Sequence, residues 1–560
     1  MPPDTTPESP ESQQPTAPPT PPDQFADANQ PSQPSSSSQP VVTTSEPKKS
    51  GSKMFMLLII AILVAAAAAG AWYVSSHRHH TTTTATKKDI PYLTDGEDTA
   101  GDLSVGYPVE TSDTTTTILL YAQLYEGLVR YQDQTKIVPL LATSWSNPND
   151  TTWLFNLRQG IKFHSGRTMT AADVKYSLDY AVAHQNDNSG ATNLALASTI
   201  SQVDVVNPYQ VKIVTNGPDP VLLNRLAFLF VIDSKVQLGS LDAGTGPYVV
   251  KPSTKPASST IDLVASSNYW GGHIYTRAVH MQTTTNNNND QLAADAAKGK
   301  YDIAGDFDAK QLAAIKNYKA ITVPDLGVSF LGLNTLKASS PLSSLAARQA
   351  VAYALNVPDI LKAGSLNGTP ANQLIPPLIP GYDSAIANTP YNPTKAKQLL
   401  ATVSNAKTPI TLSYPTGDEG QLGEISKELS AVGFNVKLAA INSIGDLVNQ
   451  AIGGQTDMFY LTYGSSTLDG LDIINSTVEG TQNYSNTELD SLTKKASSTI
   501  DPAARIAILQ QIEQQIHTNI PVVPLYSLTR AFALTKPSYV MTTDIPSAST
   551  GTYFWQVYQQ

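Results

Sequence analysis

The chain has 560 residues, 41% of them hydrophobic, a net charge of −10 and no cysteine. That length can bury one large core or two to three ordinary ones. The lack of cysteine excludes disulfides, thiolate metal sites, a cysteine nucleophile and a cysteine-borne lipid anchor. There is no basic stripe, which excludes nucleic acid as a partner.

Residues 1–53 hold 13 of the 39 prolines, with Gln, Ser and Thr filling most of the rest. Such a segment cannot bury enough apolar surface to offset its ordering entropy, and it reads as a disordered tail. Its six acids against three lysines carry −3 of the net charge, so the remainder is only mildly acidic. Residues 54–74, MFMLLIIAILVAAAAAGAWYV, carry no charge and match the ~20 residues that span a bilayer as a helix. Trp72 and Tyr73 sit at one end, where amphipathic rings favour the interface. The run exceeds the ~7–15 apolar residues of a cleaved signal, which favours an uncleaved anchor. Lys48, Lys49 and Lys53 lie closer to it than Arg78, Lys87 and Lys88, which places the N-terminus inside. HRHH at 77–80, within a linker at 75–88, reads as a solvated spacer, because one flexible run cannot fix a metal geometry.

From about Asp89 the sequence is globular. Trp153, Phe155 and Leu157 alternate with polar neighbours as in a half-buried strand, and Ile161 and Phe163 suggest a second. Thr170-Ala-Ala-Asp173 is a variant capping box that predicts a helix with Val174, Leu178 and Ala181 on its inner face. The same run holds His164, Ser165 and Asp173, the residue types of a hydrolase triad. Asp173 is better spent on free helix N–H groups, and no G-x-S-x-G elbow occurs in the chain. VDVVNPYQVKIV (203–214) predicts a hairpin turning at Asn207-Pro208. Helices are expected at 290–300, 344–356 and 504–519, the last with Ile506, Leu509, Ile512 and Ile516 on one face. No P-loop, dinucleotide fingerprint, HExxH or EF-hand pattern is present, and nothing calls for a cofactor. The class is α/β or α+β in more than one lobe.

Residues 123–178, QLYEGLVRYQDQTKIVPLLATSWSNPNDTTWLFNLRQGIKFHSGRTMTAADVKYSL, carry a longer pattern. Y-E-G-L, a P-x-L-A-x-x-W, a strand ending L-R-x-G, K-F-H-x-G and an A-x-D-V helix follow in order. GTGPY (244–248), NYWGG (268–272), KGKYDIAG (298–305), SFLGLNT (329–335), ARQAVAYALN (347–356), YNPTKAKQLL (391–400), YSNTELDSL (484–492) and IPVVPLY (520–526) come after them. From about 100 to 540 the chain closely resembles the family 5 extracellular solute-binding proteins of ABC transporters, the oligopeptide, dipeptide and nickel binders.

The resemblance implies an α/β, two-lobed clamp like the periplasmic binding proteins, with an extra domain that holds the 155–178 stretch. It places the first lobe at 89–113, 240–330 and 525–560, the extra domain at 114–239 and the second lobe at 331–524. It implies a monomer that captures a peptide or other small solute by hinge closure and delivers it to an ABC permease, tethered to the membrane by residues 54–74. The family's G-W-x-x-D receptor for a terminal amine corresponds to FYLTYGSSTLDGLD (459–472). Tyr463 stands at the aromatic position, Ser466 replaces the acid, and Asp469 follows three residues later. This departure makes a blocked peptide, a neutral solute or a metal chelate competing ligands. Tyr460, Arg225 in PDPVLLNRLAFLF, and the Ser112-Asp113 turn complete the expected ligand-binding set. A tethered sensor or scavenger without its own permease is the alternative role. A peptidase is the remote one.

Overall fold

The computed structural model describes residues 86–97, 103, 115–185, 195–251, 259–284, 288–465, 467–481, 483–545 and 551–560. The tail, the apolar run 54–74, the HRHH spacer, Ser112, Asp113 and Ser466 lie outside them. Among the described residues no helix is long and apolar enough to cross a membrane.

Period-2 sequence gives strands where one face finds a core. β1 (Leu93–Glu97) is followed by a hairpin of β2 (Val129–Gln132) and β3 (Lys136–Pro139). Next come β4 (Ala142–Asn149), β5 (Thr152–Leu157), β6 (Ile200–Asn207) and β7 (Gln210–Thr215), an antiparallel sheet in the order β4-β5-β7-β6. In β5 the predicted alternation is met: Trp153, Phe155 and Leu157 are buried, each worth roughly 1.5–3 kcal/mol of apolar transfer. The hairpin expected at Asn207-Pro208 is the β6–β7 turn.

Ile161 and Phe163 are buried as expected but do not form a strand. Phe163 N–H donates to the Arg167 carbonyl and Gly166 N–H returns to Phe163, a turn that leaves only a bridge between Lys162 and Thr168. Apolar side chains are here anchored from a loop. The helix Ala171–His184 starts as predicted: Asp173 accepts from Thr170 N–H, and its cap is reciprocal. The three triad letters point to separate structural partners. Ser165 Oγ donates to Asp233 at 2.6 Å, His164 Nε2 to the Gly246 carbonyl at 2.9 Å, and Asp173 accepts from Arg167 and Ser234. Arg167 also donates to Asp233 at 2.7 Å, so one guanidinium ties two buried carboxylates together.

β8 (Tyr248–Val250), β9 (Thr260–Ala265), β10 (Ala278–Thr283), β11 (Ile303–Gly305) and β12 (Lys319–Pro324) come next in the chain. β13 (Gly327–Leu333), β14 (Gly368–Pro370), β15 (Pro409–Pro415), β16 (Asn435–Ile441), β17 (Met458–Gly464) and the 13-residue β18 (Val522–Leu534) follow. They hydrogen-bond in the order β16-β15-β17-β13-β18-β11-β1-β10-β9-β8, with β12 and β14 also on β18. β1 is parallel to β10 and β11, and β15 to β16 and β17, as in an α/β protein.

β18 belongs to two groups of strands. Its first half pairs with β13 and β14, its second with β12 and β11. The change of partners falls at Leu528-Thr529, beside Asp325, whose N–H donates to the Leu528 carbonyl. Asp325 and Leu326 are also the only residues between β12 and β13.

The predicted helices appear at Asn289–Ala297, Leu345–Ala354 and Pro502–Asn519. The last buries Arg505, Ile508, Leu509, Ile512, Glu513 and Ile516, a face rotated slightly from the expected one so that two charges lie inside it. Arg348, in the ARQAVAYALN helix, donates to the carbonyls of Asn519, Leu342 and Ser343 and so pins that helix to the end of the last one.

Candidate functional site

A pocket opens where the Y-E-G-L run leaves the helix Thr115–Leu124. Gly127 permits the turn there, because a Cβ on it would lie 2.5 Å from the Leu226 carbonyl oxygen. Its walls are largely aromatic: Tyr125, Tyr131, Phe228, Phe230, Tyr269, Tyr553 and Trp555, with Ile118, Leu140 and Ile545 between them. Two charged side chains, Glu126 and Arg130, converge in it.

Glu126 is buried and accepts hydrogen bonds from Trp270 Nε1 at 2.7 Å, Thr245 Oγ1 at 2.8 Å and Tyr269 at 3.4 Å. Burial pushes its carboxyl up to about 7 although those donors favour the ion. The Arg130 guanidinium lies 5.1 Å from the Tyr553 ring centroid and 5.9 Å from that of Trp555, within cation–π range. Burial also raises the Tyr553 phenol to about 12.

The loop after β17 meets one wall residue, Tyr131, without lining the pocket. Asn224 Nδ2 donates to the Thr467 carbonyl at 2.6 Å and Tyr131 to the same oxygen at 3.3 Å. These bonds join the region of β2 to the region of β17. The free space left in the pocket is about 20 Å³, room for about one water. An apolar-walled recess with a few convergent polar groups is the usual form of a small-molecule site.

The model of the bacterial extracellular solute-binding proteins, family 5, matches residues 136–485, well over half of the chain. The chain belongs to that family. A Di/tripeptide-binding protein 2 of Pseudomonas aeruginosa is 26% identical over 450 residues, covering 72% of this chain and 83% of its own length. A glutathione-binding protein, GsiB, of Salmonella paratyphi A is 25% identical, with 75% and 86% covered. The solved structure of HbpA2 from Haemophilus parasuis superposes with a TM-score of 0.73 at 21% identity, over 84% of this chain and all of that one, which shows the two-lobed fold.

The residues expected to bind ligand in this solute-binding protein do not gather at the pocket. Tyr460 is buried inside β17, its hydroxyl 2.7 Å from that of Tyr526. It packs with Met458 against the helices on one face of the sheet, whereas Phe459, Leu461 and Tyr463 pack on the other. Residues three apart in a strand point to opposite sides, which is why the two tyrosines meet different surroundings. Tyr463 is half-buried and donates to Asp472 at 3.3 Å.

Asp469 is engaged within its own region. Arg505 grips it through two bonds of 2.8 and 2.9 Å, and its carboxylate also caps the short helix Gly470–Ile474. Paired this way, it has little capacity left for a ligand ammonium. Arg225 is half-buried, its Nε 3.4 Å from Asp219, without hydrogen-bond geometry. Its neighbour Asn224, not Arg225, touches the Thr467 loop. The pocket residues missed by sequence reasoning are Glu126 and Arg130. Both stand in the quoted YEGLVRY run, and the signal was a pair of opposite charges among apolar neighbours.

Proposed function

We propose that this family 5 protein is an extracellular capture protein for short peptides, held at the membrane by residues 54–74 and acting as a monomer that delivers its ligand to an ABC permease. The observation that carries the reading is the pocket: aromatic walls, one buried carboxylate and one guanidinium. Aromatic walls accept varied side chains, while the two charges suit the polar ends of a peptide. The names of the relatives, a di/tripeptide binder and a glutathione binder, support the same class.

The pocket is lined by the first lobe and the extra domain alone and is nearly filled, so its own walls must part to admit a ligand. Capture also needs the second lobe to swing over it. Two adjacent crossings would serve as the hinge, Asp325-Leu326 between β12 and β13 and Leu528-Thr529 within β18. Motion concentrated in so few residues leaves both lobes intact. The lobe limits of 89–113, 240–330 and 525–560 against 331–524, with 114–239 as the extra domain, fit this hinge.

Native mass spectrometry of the full chain in detergent, before and after exposure to a peptide digest, tests the proposal. A ladder of bound peptide masses lost on denaturation is expected. A single non-peptide mass would keep the clamp and replace the substrate class. No bound mass would reject capture of peptides.

A further inference from the structure

The last helix, Pro502–Asn519, carries a second charge inside its buried face besides Arg505, and peptide capture makes no use of it. Glu513 is fully buried, and its carboxylate accepts from Ile375 N–H at 2.7 Å and Leu374 N–H at 3.3 Å. Asp173, Asp233, Asp302, Asp457 and Asp469 are also buried acids, and each has an arginine or lysine within 4.0 Å. Among the described residues no cation forms an ion pair with Glu513. Burial pushes its carboxyl up to about 7, the two N–H groups oppose that rise, and the charge of Asp383 adds to it.

Glu513 lines a cavity between the helix Leu345–Ala354, the segment after β14, the last helix and the start of β18. Leu355, Val357, Ile516, Ile520, Val523 and Leu525 make apolar walls, and the exposed residues His517, Asn388 and Thr389 stand on the solvent side. The free space is about 80 Å³, against about 20 Å³ in the aromatic pocket, and a recess of about 90 Å³ adjoins it across residues 370–373. That is room for several waters, enough for a molecule of about five non-hydrogen atoms and too little for a peptide.

We propose that this cavity is a second binding site, for a small organic cation: a primary ammonium on a short apolar chain. The ammonium supplies the counter-charge that Glu513 lacks, at a carboxylate already held by two backbone N–H groups, while the chain lies against the apolar walls. A neutral ligand of the same shape keeps the walls and forgoes the charge-assisted bond. The site stands apart from peptide capture, since no residue lines both this cavity and the aromatic pocket.

Isothermal titration calorimetry of the full chain in detergent at pH 8, with empty micelles subtracted, compares n-butylamine with n-butanol. The amine is charged there, as a lysine is. Wild type should bind the amine at least about 10-fold more tightly than the alcohol, the worth of one hydrogen bond to a charged group, and Glu513→Gln should remove that preference. Ala352→Leu narrows the same cavity with Glu513 intact. It should weaken the amine too, and it decides the question if Glu513→Gln folds poorly. Equal binding of amine and alcohol, no binding of the amine, an undiminished preference in Glu513→Gln, or full amine affinity in Ala352→Leu would each overturn the site and leave peptide capture standing.

Discussion

Replacing Arg505 by Met tests whether Asp469 is structural. The pair is buried, with side-chain exposures of 9% and 8%, and its two contacts are 2.8 and 2.9 Å. Removing one member of such a pair strands a charge in low dielectric and costs about 3–5 kcal/mol. Arg505 Nε also donates to the Ala496 carbonyl, so the upper half of that range is expected. If Thr84–Gln560 unfolds as one unit, ~2.1 cal/mol/K per residue gives an unfolding entropy of about 1 kcal/mol/K, and the melting temperature falls by about 4 °C. Independent unfolding of the second lobe alone would raise that drop to about 10 °C, because the entropy is divided over fewer residues. Asp469→Leu combined with Arg505→Met should recover much of the loss, since two apolar groups leave no orphaned charge. The assay is differential scanning calorimetry of both single variants and the double. A shift under 1 °C in Arg505→Met, or strict additivity of the two losses, would refute the account and return Asp469 to the ligand question.

Gly127→Ala should destabilise the protein by roughly 1–3 kcal/mol, read by urea denaturation, because the obstruction is a backbone carbonyl that cannot turn aside. Gly423→Ala, exposed in the helix Glu419–Val432 with open space around it, should instead stabilise by about 0.5–1 kcal/mol in the same assay. Burial would raise the Asp173 and Asp233 carboxyls, but Arg167 outweighs it and holds both below the usual value. Their contribution is present above the unfolded carboxylate range and lost as pH falls through the folded values, so Arg167→Met should flatten the acid limb of a melting-temperature profile. Glu126 runs the other way: burial lifts it to about 7, the folded state binds the extra proton, and stability falls as pH rises from about 4.5 to 7. Glu126→Gln should remove that slope, and an unchanged profile would contradict it.

Local signals in the sequence transferred well. The β5 alternation, the Asn207-Pro208 turn and the Thr170–Asp173 cap depend on residues within a few positions of one another, where propensity and hydrogen bonding are decided. Ile161 and Phe163 failed as a strand because apolar spacing reports burial and not pairing, and no neighbour offers them a ladder. The odd spacing of Tyr460 and Tyr463 in one strand already puts them on opposite faces, so their side chains meet different surroundings. That Asp469 meets Arg505, 36 residues on, was not legible, because only the packing of the last helix brings them together. The setting of Arg130 was hidden likewise, because the rings of Tyr553 and Trp555 that face it come from the far end of the chain.

β18 occupies the centre of the hydrogen-bonding order yet is the last long strand to be made. Until Leu534 has been synthesised, β13 has no neighbour on one side and β11 none on its outer edge, so both groups of strands wait on one late segment. A nascent chain would thus expose two open, apolar-faced edges for most of its synthesis, the condition that invites mispairing and calls on holding factors. A truncation before β18 should therefore yield not one surviving lobe but two incomplete ones.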